Sequence, residues 1–284
     1  MGGAAGLAAQ AYVICPPGPA GRAGKGVRSR RKGRSQPFAA VDEAALQALR
    51  VDLAAAFRIT DAFGWTESVG NHFSAAVSAD GMQFLMNPKW KHFGEMRPSD
   101  LLLLDARDTE VMARPNAPDA SAWTVHGTIH RRVPAARVLL HAHTPYATAL
   151  ATLEDPRMLP LDNNTARFYG DLGIDTGFGG IADDAAEGER LAAALGENSC
   201  LLMGSHGISV SADTVAEAFE KLYFFERAAQ TLMLAYASGK PLNVLSHEVA
   251  ENTARGWHAY RGMAFEHFDY LKRKLDRADR SYRD

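Results

Sequence analysis

Residues 138–151, VLLHAHTPYATALA, place two histidines in a run that is otherwise typical of a buried β-strand. Successive side chains of a strand point to opposite faces of its sheet, so Leu139, His141 and His143 share one face. Two imidazoles at positions i and i+2 of that face lie close enough to bind a single cation. The run therefore predicts a strand with a paired-histidine metal site, unless both rings are core histidines whose nitrogens bond to the backbone.

Helical and strand-like segments are mixed along the rest of the chain. Apolar residues at helical spacing predict three helices, over 42–64, 121–134 and 214–235. Ser121 is the expected cap of the second helix, and Thr214 and Glu217 are expected to form a capping box at the start of the third. The strand-like runs HFSAAVS and MQFLMNP flank an Asp80-Gly81 hairpin turn, and DLLLLD, ARVLLHAH and ENSCLLM are further strands. With no internal repeat and no linker, this mixture predicts a single α/β domain.

Residues 1–40 differ from the rest in composition and are predicted to be a disordered basic segment. Residues 1–37 hold seven of the 31 basic residues and no acidic residue, which leaves 24 basic against 33 acidic residues downstream. Because the segment has no folded basic face and no interleaved aromatic residues, nucleic-acid binding is not favoured. We expect the α/β domain at 41–245 and a C-terminal helical extension at 246–284.

The positions of the cysteines and the hydropathy of the chain indicate which chemistry the protein can use and in which cellular compartment it is expected. Cys15 and Cys200 are far apart and form no CxxC pair, which argues against a disulfide framework and against a thiolate metal site. No apolar run approaches the ~18–20 residues that cross a bilayer. These features predict a protein of the reducing cytoplasm that has no membrane partner.

A third histidine completes the candidate metal site. The segment GSHGISV places His206 in a turn after a predicted strand, between Gly204 and Gly207, which permit close backbone approach. Three neutral imidazoles suit Zn²⁺, or Mn²⁺, Fe²⁺ or Co²⁺, and leave coordination positions open for water or substrate. His126 and His130, at i and i+4 of one predicted helix, form a rival pair, although we favour for them a supporting role or a place on the helix surface.

Six segments occur in a characteristic order and spacing: VGNHFSAAV, FLMNP, SDLLLLD, VHGTIHRRVPAARVLLHAHTPYATALA, LPLDNNTARFYG and LLMGSHGISVSADTVAEAFEKLYFFERAAQ. From about Leu46 to Ala235 they resemble the class II aldolase/adducin head-domain family. The resemblance implies a three-layer α/β/α domain around a mostly antiparallel central sheet. It also implies a divalent ion, usually zinc, on His141, His143 and His206, and a homotetramer whose active site lies near a subunit interface.

The resemblance assigns further residues around the ion, with two departures. Three matching positions are expected to bind substrate: Gly70, Asn71 and Ser121. The acid/base glutamate of the sugar-phosphate aldolases lies nineteen residues before the first metal histidine, where this chain has Ala122. Lys89 and Trp90 replace a small glycine-containing turn, and Lys89 is a candidate partner for a substrate carboxylate. A sugar-phosphate aldolase with the standard base is therefore disfavoured.

Two residues are candidates to replace the missing glutamate. Glu67, before the family's glycine-asparagine turn, and Tyr169, in RFYGD, both carry groups that can transfer protons. The alternative for each is structural: a solvated loop carboxylate and a half-buried tyrosine. Trp90, Trp123 and Phe168 are candidate walls of an apolar pocket, with core packing expected for at least two of them.

Together these residues predict a metal-dependent lyase that acts on a small hydroxy- or keto-acid by aldol cleavage or decarboxylation. In such a site the cation binds a hydroxyl and a carbonyl oxygen and stabilises the enediolate left when a C–C or C–H bond breaks. Two alternatives stay open: a non-catalytic, adducin-like interaction domain of the cytoskeletal or actin type, and a metal-dependent oxygenase. Adducin heads generally lose the metal histidines as well as the glutamate, so the resemblance disfavours the first alternative.

Overall fold

The computed structural model describes residues 42–181 and 184–284, so the predicted basic segment at 1–40 lies outside the described residues. Within this part of the chain seven strands form one sheet: β1 (His72–Ala76), β2 (Gln83–Met86), β3 (Leu102–Asp105), β4 (Val138–Ala142), β5 (Leu172–Asp175), β6 (Cys200–Met203) and β7 (Gly207–Ala212). Their order is β3-β2-β1-β4-β7-β6-β5. All neighbours pair antiparallel except β5 and β6, which are parallel. The expected, mostly antiparallel sheet is confirmed.

Seven helices of the described residues accompany the sheet: α1 (Glu43–Ala62), α2 (Ala120–Arg132), α3 (Pro145–Ala151), α4 (Ala185–Leu195), α5 (Val215–Ala237), α6 (His247–His258) and α7 (Gly262–Ala278). Apolar side chains of α1, α3, α5 and α7 share one core with the sheet, and those of α2 and α4 share another. The result is the expected three-layer α/β/α arrangement. In the part of the chain that the structure describes, no helix is both long and apolar enough to span a membrane.

Strand alternation gives the two faces of the sheet different environments. Phe73 on β1 and Leu140 on β4 belong to the larger core with α1 and α5. Leu139, by contrast, packs in the core formed with α2 and α4, and His141 shares its side of β4. The β1–β4 register sets His72 directly opposite His141. The imidazoles of both central strands therefore lie on the α2 side of the sheet.

The predicted local signals are confirmed at a hairpin and at one helix cap. The predicted hairpin turn joins antiparallel β1 and β2, with Gly81 at φ 73°. Thr214 caps α5 by accepting a hydrogen bond from the backbone N–H of Glu217. The predicted cap of α2 is wrong, because the helix begins one residue earlier and the carboxylate of Asp119 accepts from the Ser121 N–H.

Candidate metal centre

Three imidazoles, which we call the histidine triad, converge at one end of the central strands of the sheet. His141 lies on β4, His143 follows the end of that strand, and His206 lies in the turn between β6 and β7. Because β4 and β7 pair with Ala142 opposite Ile208, the turn that precedes β7 lies beside the end of β4. One ring nitrogen of each histidine lies within 4.8 Å of the other two. The structure thus brings together the three residues that the sequence assigns to a metal.

Two glycines permit the turn between β6 and β7 to approach its neighbours, Gly207 at the end of β4 and Gly204 at the end of β5. A Cβ on Gly207 would lie 2.7 Å from the carbonyl oxygen of Ala142 and 2.8 Å from Cδ2 of His143. A Cβ on Gly204 would lie 2.9 Å from Cα of Thr176. Because Cβ atoms essentially never make contacts this short, both positions need glycine, and the expected close backbone approach is confirmed.

Hydrogen bonds to the outer nitrogens orient two of the rings. Nδ1 of His141 donates to the carbonyl oxygen of Ile208 at 3.1 Å, and Nδ1 of His143 contacts the carboxylate of Glu67. Carbonyl and carboxylate oxygens only accept, so Nδ1 carries the proton in both rings and each Nε2 presents a lone pair. The two Nε2 atoms face each other at 3.1 Å. A cation between them would relieve the repulsion of these lone pairs.

Burial keeps two imidazoles of this cluster, those of His141 and His206, neutral. Desolvation lowers the pKa of His141 well below its usual value and lowers the pKa of His206 to about 4. Neutral imidazole is the form that ligates metal ions. Two nitrogens 3.1 Å apart can both lie the usual ~2.0–2.1 Å from one zinc ion. The residues present therefore fit a divalent ion with nitrogen ligands.

A buried row of polar side chains backs the triad. His72 stacks on His141, with ring centroids 5.0 Å apart and ring planes inclined by 22°. Nδ1 of His72 lies 3.2 Å from Nε2 of His126, and the Ser74 hydroxyl lies 2.6 Å from Nδ1 of His126 and 2.7 Å from Nε2 of His130. His126 and His130 thus join α2 to β1 and are not a rival ligand pair. This agrees with the supporting role that we favoured for them.

Sequence reasoning missed His72, although strand alternation carried a signal for it. Within HFSAA, Phe73 and Ala75 belong to the apolar core, which leaves His72 and Ser74 on the face of the triad. Burial lowers the pKa of His72 to about 3 and the pKa of His130 to about 4. The row behind the triad is therefore neutral as well.

Two residues that precede β1 lie against His143. Glu67, whose side chain is 60% exposed, contacts Nδ1 of His143 and so lies on the side of the ring away from Nε2. Asn71 is buried, adopts a left-handed backbone at φ 69°, and has its Oδ1 3.5 Å from the His143 N–H. Nδ2 of Asn71 has no hydrogen-bond partner among the described residues. Glu67 thus orients one ring of the triad, whereas Asn71 offers a buried donor.

Two other predicted substrate residues lie beside these groups. The N–H of Gly70 donates to the carbonyl oxygen of Glu67 at 2.9 Å, which closes the turn before Asn71. The Ser121 hydroxyl donates to Asp119 at 2.6 Å and lies 3.5 Å from Nε2 of His72. Each of these two residues therefore contacts a residue that itself contacts the triad.

Lys89 and Tyr169 form no hydrogen bond, ion pair or ring contact with the triad within the described ranges. Nζ of Lys89 lies 4.7 Å from the ring centroid of Trp90, which is 73% exposed and has a left-handed φ of 62°. The Tyr169 hydroxyl lies 2.9 Å from Nδ1 of His247, at the start of α6. The structure therefore places neither residue against the triad of its own chain.

The position of the family's glutamate is apolar in this chain. Ala122 is fully buried in a cluster that includes Phe84, where a carboxylate would lose its hydration. Trp123 packs against the same cluster, and Phe168 belongs to the main core. Core packing is thus confirmed for two of the three candidate aromatic residues, and the third, Trp90, is exposed.

A buried carboxylate fixes the chain directly after His143. Glu226 on α5 accepts the Thr144 hydroxyl at 2.6 Å and the backbone N–H groups of Tyr146 and Ala147 at 2.9 Å. These N–H groups belong to the first turn of α3, where backbone donors have no partner within the helix. His143 is therefore held between a central strand and a capped helix, and sequence reasoning did not anticipate this cap.

Comparisons with known proteins agree with this architecture. A family model described as the class II aldolase and adducin N-terminal domain matches residues 51–233. A putative aldolase class 2 protein of Caulobacter vibrioides is 30% identical over 249 residues, which cover 86% of this chain and 95% of that protein. The decarboxylase NovR of Streptomyces niveus is 26% identical over 182 residues, which cover 62% of this chain and 67% of NovR.

A solved structure extends the comparison to three dimensions. The crystal structure of an aldolase II superfamily protein from Pseudomonas syringae matches with a TM-score of 0.75 and 28% identity, and the match covers 88% of this chain and 98% of that one. The segment matched by the family model contains all three histidines of the triad. The chain therefore belongs to the class II aldolase and adducin N-terminal domain family.

Proposed function

We propose that this protein is a divalent-metal-dependent lyase and that His141, His143 and His206 hold its ion, with Zn²⁺ favoured over Mn²⁺, Fe²⁺ and Co²⁺. The observation that carries the proposal is the pair of Nε2 lone pairs 3.1 Å apart, in two rings whose Nδ1 protons already have acceptors. A bound divalent ion supplies Lewis-acid polarisation of substrate oxygens. Family membership supports the metal, and a decarboxylase among the relatives supports a lyase.

The proposed substrate is a small hydroxy- or keto-acid, which undergoes aldol cleavage or decarboxylation. Both reactions develop negative charge on an oxygen next to the bond that breaks, and donors fixed in place stabilise such charge. Nδ2 of Asn71 is a buried donor without a partner among the described residues and can serve a substrate oxygen. We assign Gly70 and Ser121, which lie at the same end of the sheet, to substrate binding. We assign Lys89 to the substrate carboxylate.

Glu67 and Tyr169 take different parts in this proposal. Glu67 accepts a hydrogen bond from the Nδ1–H of His143, which makes it a positioning residue for that ligand. Tyr169 is our candidate for proton transfer, and because it contacts no triad residue of its own chain, this role requires the triad of a neighbouring subunit. The proposal therefore includes a homotetramer whose active site lies near a subunit interface.

An adducin-like interaction domain without catalysis is the alternative. The replacement of the family's glutamate by the buried Ala122 favours it. The convergence of three imidazoles opposes it, because bringing the nitrogens of one buried and two half-buried rings together without a ligand is costly. A metal-dependent oxygenase would use the same triad with iron in place of zinc.

Metal analysis combined with a cleavage screen tests the proposal. The purified protein is analysed for bound ions, stripped with a chelator, reloaded with each of the four ions, and assayed on hydroxy- and keto-acids for CO₂ and aldehyde. We expect a bound divalent ion and product release that depends on it. His143→Ala should lose both and stay folded, whereas His258→Ala, an exposed histidine of α6, should lose neither.

Three other results would contradict the lyase. A protein that binds no divalent ion refutes the metal site itself. A bound ion without any cleavage supports the adducin-like alternative. Oxygen consumption that depends on iron supports the oxygenase.

A further inference from the structure

A cavity of about 490 Å³ lies at the opposite end of the sheet from the triad. Ser199 and Ser211 line it beside the start of β6 and near the end of β7, whereas His206 lies in the turn that joins the other ends of these strands. β7 has six residues, so at ~3.3 Å per residue the cavity and the triad are about 15–20 Å apart along the strand. The cavity is therefore distinct from the candidate metal centre.

Arg167 projects side-chain donors without partners at this cavity, which we call the Arg167 cavity. Cζ of Arg167 lies 4.4 Å from the ring centroid of Phe224 and 4.7 Å from that of Trp257, so the guanidinium stacks on aromatic faces. Within the described residues its side chain donates no hydrogen bond, and because Nη1 alone of its nitrogens is shielded from solvent, Nε and Nη2 are the donors left for a ligand. A guanidinium fixed by stacking, with its N–H groups unmatched, is arranged to receive an oxyanion.

The charges around Arg167 disfavour a ligand that carries two negative charges. Three lining carboxylates already accept hydrogen bonds at 2.5–2.6 Å from protein donors: Asp171 from Ser199, Glu217 from Arg261 and Glu220 from His267. Lys221 donates to the carbonyl oxygen of Ser211 at 3.0 Å and keeps further donors. Among the lining residues five are acidic and three are Lys or Arg, so a dianion such as phosphate is disfavoured.

Apolar side chains complete the lining on the other sides. Val133, Ala136, Phe168 and Trp257 all contribute to it. We propose that the Arg167 cavity binds a small monocarboxylic acid with an apolar or aromatic body. The carboxylate receives hydrogen bonds from Arg167 and Lys221, and the body lies against the apolar side chains. This site is independent of the proposed lyase activity.

Benzoate is a suitable probe, since it has one negative charge and a flat apolar ring. Its binding to the full-length protein is followed by ligand-detected NMR titration, with benzamide and inorganic phosphate as matched probes. We expect saturable binding of benzoate that is about tenfold or more tighter than the binding of either other probe. Failure of benzoate to saturate, or equal binding of benzamide, would overturn the proposal without any variant.

Variants then assign the site. Arg167→Met keeps the stacked aliphatic stem but removes the charge, and should weaken benzoate binding about tenfold or more, whereas Arg167→Lys should retain part of it. Arg255→Met changes an exposed arginine of α6 outside the cavity and should leave binding unchanged. His143→Ala should also leave it unchanged, because the triad lies at the other end of the sheet. Loss of binding in His143→Ala, or full binding in folded Arg167→Met, would place benzoate elsewhere and refute the site.

Discussion

At the residue scale, an imidazole that ligates a metal binds it through one nitrogen and donates a hydrogen bond from the N–H of the other. The acceptor of that N–H therefore decides which nitrogen faces the metal. The backbone carbonyl of Ile208 is the acceptor for His141, and the carboxylate of Glu67 is the acceptor for His143. Such partners fix the ring and raise its basicity. Glu67 can therefore be changed to alter the metal affinity without removing a ligand.

Glu67→Gln should weaken Zn²⁺ binding by roughly 10–100-fold, because an amide is a weaker and uncharged acceptor for the Nδ1 proton. The affinity is measured on chelator-stripped protein by competition with a chromophoric chelator. Glu154→Gln, a matched change at an exposed loop residue, should leave the affinity unchanged. Equal affinities in the two variants would mean that Glu67 does not position His143.

At the scale of elements, the site depends on how helices are attached to the two central strands. α3 begins two residues after His143, and its first turn is capped by Glu226 from α5. α2 is attached to β1 through His126, Ser74 and His130. Each attachment buries polar groups that have partners only in the folded protein, so each makes the free energy of unfolding sensitive to a single substitution.

Glu226→Ala should lower the free energy of unfolding by about 2–4 kcal/mol, because three donors at the start of α3 lose their buried acceptor. Urea denaturation of the metal-free protein measures the change. Glu251→Ala, on the exposed surface of α6, should cost less than about 0.5 kcal/mol. A cost of similar size in both variants would contradict the buried cap.

His130 should make the metal-free protein less stable in acid. Its pKa is about 4 in the folded protein because of burial, against a usual value of 6.5. Below pH 6.5 the unfolded chain takes up a proton that the folded protein does not, so stability falls between pH 6.5 and 4, by up to about 3 kcal/mol. His130→Gln should remove the share of His130 and make the dependence less steep in denaturation series across that range, although the other buried histidines keep part of it, and His258→Gln, at an exposed site, should leave it unchanged.

Some residues of the candidate site could be predicted from the sequence, and others could not. Strand alternation identifies His141 and His143, and a glycine-flanked turn identifies His206, since each signal lies within a few neighbouring residues. His72 and Glu226 escape it, because their roles depend on pairing with segments about 70–80 residues away in the chain. Asp119 and Ser121 are both good caps, so local preference alone could not decide where α2 begins.

At the scale of the whole molecule, a single sheet carries two candidate ligand sites at its opposite ends. The triad lies where β4 ends and β7 begins, and the Arg167 cavity lies beside the start of β6. The helical layers were predictable from the family resemblance, and the C-terminal helix α7 packs on α1 and α5 through Phe268 and Leu271. The cavity escaped sequence reasoning because residues from five separate segments line it.

The proposed metal site requires that three imidazoles, brought together from separate parts of the chain, hold one divalent ion. Anomalous X-ray diffraction at a metal absorption edge, from crystals of the protein as purified, tests it most directly. We expect a single strong peak per chain, within bonding distance of Nε2 of His141, Nε2 of His143 and a ring nitrogen of His206. No peak at this position in well-ordered crystals, or a peak bound only by other residues, would contradict it.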